Sequence, residues 1–179
     1  VKRLAVSLAV LALPVLVSAA SAQAPDPKTL LEVRASLAPS AAGRGTLTVR
    51  AKLTAGWHVN SHKPSEEYLI PTEVKLDPAD GVRYGEPRYP EGKSQKFAFS
   101  ETPLSVYAEE FAIEVPVEWT GASAPAVRGS VDFQACNDQQ CLAPTSVRFE
   151  AAAAAAAAAP SGSVSGSLEN GAVPLSEAR

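Results

Sequence analysis

Gly45-Thr-Leu-Thr-Val-Arg-Ala-Lys-Leu53 alternates apolar and polar side chains almost without a break. A period of two marks a β-strand with one face buried, because successive side chains leave a strand on opposite sides. Leu30-Leu-Glu-Val-Arg-Ala-Ser-Leu37 and Phe111-Ala-Ile-Glu-Val-Pro-Val-Glu-Trp119 carry the same pattern upstream and downstream. Pro116 has no N–H to give a ladder, so its strand is expected at a sheet edge or a bulge. Val127-Arg-Gly-Ser-Val-Asp-Phe-Gln134 and Ser146-Val-Arg-Phe-Glu150 read as two further strands, and residues 57–60, 72–76, 81–84 and 104–107 as shorter ones. Turn chemistry falls between them, in Pro78-Ala-Asp-Gly81, Pro90-Glu-Gly92 and Gly121-Ala-Ser123. No segment here keeps a helical period for three turns, and the chain's 15 prolines oppose a helical fold. The expected fold class is all-β, an immunoglobulin-like antiparallel β-sandwich.

The only two cysteines lie in Cys136-Asn-Asp-Gln-Gln-Cys141, between the last two strands. They are thus expected on one hairpin, unlike the inter-sheet pair of antibody domains. Directly opposed residues of an antiparallel ladder have Cα atoms ~4.5 to 5.5 Å apart, within reach of a disulfide. Reduced and oxidised forms can then share nearly one backbone. A bridge closing so small a ring adds roughly 2 kcal/mol by chain entropy, against ~4 to 5 for a long-range one. Electron exchange is therefore a better reason than stability for a lone pair in a domain of this size. Asp138 lies between the sulfurs and no Lys or Arg is near in sequence, so local charge does not activate either thiol. Such a pair is attacked or activated by a partner rather than by itself. An inert clip on a turn is equally compatible with these residues.

Residues 1–24 read as an export signal. Lys2 and Arg3 precede an apolar run from Leu4 to Val17, and the small residues of Ser18-Ala-Ala-Ser-Ala-Gln-Ala24 fit a cleavage site. That run is short for a membrane span, which needs ~20 residues. Export puts the thiols where disulfides persist, in the periplasm. The formal net charge of −3 excludes a polyanion-binding surface, so nucleic acid is not an expected partner. Residues 25–150 form one domain, of a common size and able to bury a core. Residues 151–179 start with a run of nine alanines and continue Ser/Gly-rich, and read as a disordered tail or linker.

Gly56-Trp-His-Val-Asn-Ser-His62, Lys93-Ser-Gln-Lys-Phe-Ala-Phe-Ser100, Tyr107 and above all Phe133-Gln-Ala-Cys-Asn-Asp-Gln-Gln-Cys-Leu-Ala-Pro144 resemble the N-terminal periplasmic domain of the disulfide reductase DsbD family. The resemblance implies an immunoglobulin-like domain without a cofactor. Such a domain takes electrons from a thioredoxin-like domain or membrane reductase. It gives them to periplasmic disulfide isomerases or cytochrome c maturation proteins. By the same resemblance Cys141 forms the mixed disulfide with partners and Cys136 resolves it. The family also carries a cap loop whose aromatic side chain shields the sulfurs. Phe97 and Phe99 lie in the corresponding stretch, and Phe99 is the preferred shield. As ordinary strand residues, both phenylalanines would instead share one face.

The sequence departs from the family in several places. The cysteines are five positions apart, where some members have six. His58 and Asn60 stand where some members have tyrosines near the sulfurs. His58 is a candidate for tuning a sulfur, although a surface histidine on a strand is the plainer expectation. The sequence also lacks the transmembrane conduit and terminal thioredoxin-like domain of full-length DsbD, which points to a freestanding version or a fragment.

Other function classes compete. His58, His62 and the two cysteines have the composition of a zinc site, but an oxidising compartment favours the disulfide, so no metal is expected. A non-catalytic secreted binding module with a structural disulfide is the main alternative. No nucleophile elbow or zincin motif supports a hydrolase.

Overall fold

The computed structural model describes residues 24–41 and 43–151. The expected export signal up to residue 23 and the tail beyond residue 151 lie outside them. Apart from a 3-10 turn at Pro27–Thr29, the described elements are strands in antiparallel sheets.

The first sheet joins β1 (Leu31–Ala41), β2 (Arg44–Leu53), β8 (Glu110–Trp119) and β5 (Val82–Tyr84) in that order. Its two inner strands are the ones whose alternation is cleanest. Leu47, Val49, Ala51 and Leu53 of β2, with Phe111, Ile113, Val115, Val117 and Trp119 of β8, point inward and are buried. Each such aliphatic side chain removed from water contributes roughly 1.5 to 3 kcal/mol. That apolar face is what holds the register, since a slip by one residue would turn it to solvent.

A second sheet joins β10 (Ala135–Cys136), β3 (His58–Asn60), β7 (Leu104–Ala108) and β6 (Lys93–Gln95), and a third joins β11 (Thr145–Ala151), β9 (Val127–Phe133) and β4 (Glu73–Leu76). Val59 and Tyr107 of the second sheet and Val127, Val131 and Phe149 of the third enter the same apolar core as the first sheet's inner face. The fold is the expected immunoglobulin-like sandwich. Gly129 marks the tightest approach within the third sheet, where a Cβ would lie 2.3 Å from the Lys75 carbonyl oxygen.

Two of the places where the chain changes sheets position the site. Glu109, with φ of 63°, is the sole residue between β7 and β8 and turns the chain from the second sheet into the first. A side chain rarely adopts that left-handed conformation, and its carbonyl is held by the Leu53 N–H at 2.6 Å. After Phe133 the chain leaves the third sheet, forms β10 on the edge of the second, and returns as β11.

Three expectations need correcting. β8 is not an edge strand, because β2 and β5 flank it. The other possibility for Pro116, a bulge, is what the sheet shows: its carbonyl accepts from Gly85 just past the end of β5, and pairing then slips by one residue, from Tyr84–Val117 to the Arg88–Glu114 bridge. The cysteine turn does not simply link β9 to β11: it is an excursion between them, carried by β10. Finally, Ala151 pairs with Val127 and is fully buried, so the first alanine of the run belongs to the domain rather than to the tail.

Candidate functional site

Cys136 and Cys141 face each other across an isolated antiparallel bridge and are joined by a disulfide, with Cα atoms 4.0 Å apart. The bridge is bracketed by two backbone hydrogen bonds of 2.9 Å, from Asn137 N–H to the Gln140 carbonyl and from Leu142 N–H to the Ala135 carbonyl. Between such bonded pairs lies a non-hydrogen-bonded position, where opposed side chains come closest. The turn is built by Asn137, whose Oδ1 accepts the N–H groups of both Gln139 and Gln140 at 2.9 Å. Gln134 ties its base by donating to the Leu142 carbonyl at 3.0 Å.

The two sulfur-bearing residues differ in exposure. Cys136 is 2 % exposed and fixed on a sheet edge, opposite His58 in register. Cys141 is exposed and borders a depression of about 490 Å³ lined also by Tyr68, Leu69, Phe99, Glu101 and Leu104. No cationic side chain lines that depression.

Neither Phe97 nor Phe99 lies in a strand; they sit in the loop between β6 and β7 and do different things. Phe97 is 3 % exposed, packs with Leu104, Val106 and Leu69, and stacks on His58 with ring centroids 4.2 Å apart. Phe99 stacks on Phe97 at 5.3 Å, is 53 % exposed, and reaches the depression beside Cys141. The loop is held at its tip by Ser100 N–H donating to the Phe97 carbonyl and by Lys96 Nζ donating to the Ser100 carbonyl at 2.6 Å. Thr102 donates to Glu66 across at the next loop, at 3.1 Å.

Sequence reasoning missed the residue facing Phe99 across that depression. Tyr68 is 77 % exposed, the most exposed large hydrophobic side chain among the described residues. It sits in a loop whose only sequence signal is the acidic pair beside it. Asn60 holds that loop down: its Nδ2 donates to the Ile70 carbonyl at 2.9 Å, while its own carbonyl accepts from Thr72 Oγ1 at 2.6 Å. Asn60 is therefore buried and its amide is engaged away from the sulfurs. His62 stacks on Tyr89 at 3.7 Å, with Nδ1 3.3 Å from the Thr72 carbonyl. No group of three or more His, Cys, Asp or Glu side chains converges as a metal site among the described residues.

His58 needs a further correction. It is not a surface residue: it is 4 % exposed, covered by Phe97 and paired with Cys136 on one side and Ala108 on the other. Burial pushes its imidazole below the ordinary value of 6.5, with the Asp138 carboxylate opposing. The unfolded chain therefore takes up this proton before the folded one as pH falls. The stability tied to neutral His58 is intact above pH 6.5 and is lost as pH falls from there toward the folded value. Thermal unfolding of the wild type should thus shift to lower temperature on acidification more steeply than that of His58→Phe. Parallel curves would mean that the ring does not titrate differently on unfolding.

Comparison with known proteins bears on this arrangement. The family model described as thiol:disulfide interchange protein DsbD, N-terminal, matches residues 24–153. The chain belongs to that family. The N-terminal domain of Neisseria meningitidis DsbD in its reduced form is 22 % identical, with 70 % of this chain and 87 % of that one covered and a TM-score of 0.45. The complex of the DsbD and PilB N-terminal domains from the same organism gives 18 % identity, coverage of 70 % and 85 %, and a TM-score of 0.45. The N-terminal periplasmic domain of ScsB from Proteus mirabilis is 15 % identical with a TM-score of 0.51, which shows a common fold. That match covers 71 % of this chain and 48 % of the other, so the chain spans about half its length. No curated protein matches the sequence. As a DsbD N-terminal domain the chain is a thiol–disulfide interchange module.

Proposed function

We propose that this DsbD N-terminal domain relays electrons in the periplasm through a reversible Cys136–Cys141 disulfide. A thioredoxin-like domain or membrane reductase supplies them, and disulfide-bonded proteins such as isomerases or cytochrome c maturation factors receive them. The observation that carries the reading is the asymmetry of the pair, an exposed Cys141 joined to a buried Cys136. A partner thiolate can approach only the exposed sulfur, so Cys141 is the residue that enters the mixed disulfide. Cys136, held on β10, is the sulfur that leaves and later recloses the ring. Exchange proceeds through such an intermediate, and the accessible sulfur is the one attacked.

Phe99 and Tyr68 flank the exposed sulfur from two loops. Phe99 acts as the shield: an aromatic side chain beside Cys141 hinders small thiols, while a docking protein displaces it. Phe97, beneath it, is the fixed support on which that side chain rests.

The test is electron transfer from a reduced thioredoxin-like domain to the oxidised protein, followed as free thiols appear on Cys136 and Cys141. Rapid, stoichiometric reduction under native conditions is expected. A bridge that opens only on unfolding would favour a binding module with a structural clip.

A further inference from the structure

We propose that His58 takes the proton from Cys136 when that residue resolves a mixed disulfide. The inference rests on the assignment of Cys136 as the resolving sulfur. Only a thiolate attacks a disulfide. Cys136 is 2 % exposed, and a thiol with the ordinary pKa of ~8.5 is mostly protonated at neutral pH, so its thiolate is scarce. A base within reach of that sulfur, taking the proton as the sulfur attacks, eases the step.

His58 occupies the position directly opposite Cys136 on the neighbouring strand. Opposed residues project from the same face of a sheet with Cβ atoms ~4.5 to 5.5 Å apart. The Phe97 ring stacked on the imidazole at 4.2 Å restricts its orientation. His58 also borders an open groove together with Lys52, Glu109, Glu110 and Asp138, the nearest solvent to which its proton can pass. Glu109 is paired with Lys93 and Glu110 with Arg50, each at 3.7 Å. Asp138, in the turn between the sulfurs, is the carboxylate placed to favour the imidazolium once it forms.

The step balances as follows. Cys141 thiolate attacks an acceptor disulfide, forming a Cys141–acceptor bond and releasing one acceptor sulfur as thiolate. The Cys136 proton passes to the His58 imidazole. Cys136 then attacks the Cys141 sulfur, the ring closes, and the second acceptor sulfur leaves with the electron pair. His58 returns its proton to solvent or to that leaving thiolate. The protein dithiol is oxidised and the acceptor disulfide is reduced.

Reduced protein mixed with the aromatic disulfide dithiobis(nitrobenzoate) separates the two stages. The first equivalent of coloured thiolate reports attack by Cys141, and the second reports resolution by Cys136. In the wild type the second phase should rise with pH and level off once His58 is neutral. In His58→Phe, which keeps an aromatic ring against Phe97, it should be about 100-fold slower at neutral pH and lose that levelling, in line with general-base catalysis. The first phase should be unchanged. Superimposable second-phase pH profiles in wild type and variant would overturn the proposal. A variant that does not fold leaves the test to the wild type alone: the inflection of the second phase must coincide with the His58 ring titration followed by NMR, and a mismatch overturns the proposal. If the first equivalent appears and the second does not, Cys136 is not the resolving sulfur, and the relay reading fails along with this one.

Discussion

Cys141→Ser is expected to abolish covalent capture of partner proteins, while Cys136→Ser should accumulate it. The prediction follows from exposure. With Cys141 gone, the remaining sulfur is 2 % exposed and packed on a sheet edge, out of reach of a docking protein's disulfide. With Cys136 gone, Cys141 still enters the mixed disulfide, but nothing nearby displaces the partner. An intramolecular thiol held within reach acts at an effective concentration far above that of any free thiol. Its loss should lengthen the life of the intermediate by orders of magnitude, enough for isolation on a non-reducing gel. The opposite pattern would exchange the roles of the two sulfurs and leave the relay itself intact.

Phe97→Ala and Phe99→Ala should part company just as sharply. Phe97 is buried among Leu104, Val106 and Leu69 and supports both His58 and Phe99. Truncating a buried phenylalanine leaves a cavity and costs about 3 to 5 kcal/mol, a large fraction of a domain's total stability. Denaturant unfolding would show this as a lower midpoint. Phe99 is 53 % exposed, so its truncation should change stability by no more than about 0.5 kcal/mol. Its effect should appear instead as faster reduction of the disulfide by a small thiol such as glutathione. An unchanged small-thiol rate in Phe99→Ala would remove the shielding role.

Much of this architecture is legible in the sequence because it rests on period two. β2 and β8 announce themselves by unbroken alternation, since each has one face in the core and one in water. The cysteine loop is legible because four residues between the two cysteines fit a tight turn. Other elements leave no such trace. All three residues of β6 are exposed, so Lys93-Ser-Gln95 carries no apolar signal. β3 lies where a strand was expected, at residues 57–60, but all three of its residues are buried, and the polarity of His58 and Asn60 hides that. A histidine between Trp57 and Val59 reads as the solvent side of an alternating strand; only the loop bearing Phe97, folded over from further along the chain, makes it an interior residue. Pro116 is half legible for a related reason, since an edge and a bulge read alike in sequence and the sheet shows the slip in pairing rather than the edge. Whether a strand's neighbour stops short of a given residue is a property of the sheet and not of the strand. Tyr68 was invisible because exposure and proximity to Cys141 come from a loop held in place by Asn60 and by the Thr102–Glu66 hydrogen bond.

The central claim is that the Cys136–Cys141 bond is made and broken in normal turnover. Its most direct test is the equilibrium potential of that pair, measured by equilibration against a thioredoxin-like protein under native conditions. A potential well above ~−300 mV, reached reversibly from both the oxidised and the reduced protein, is the expected result. A bond that stays closed against thioredoxin-like donors, at or below that potential, would contradict the account.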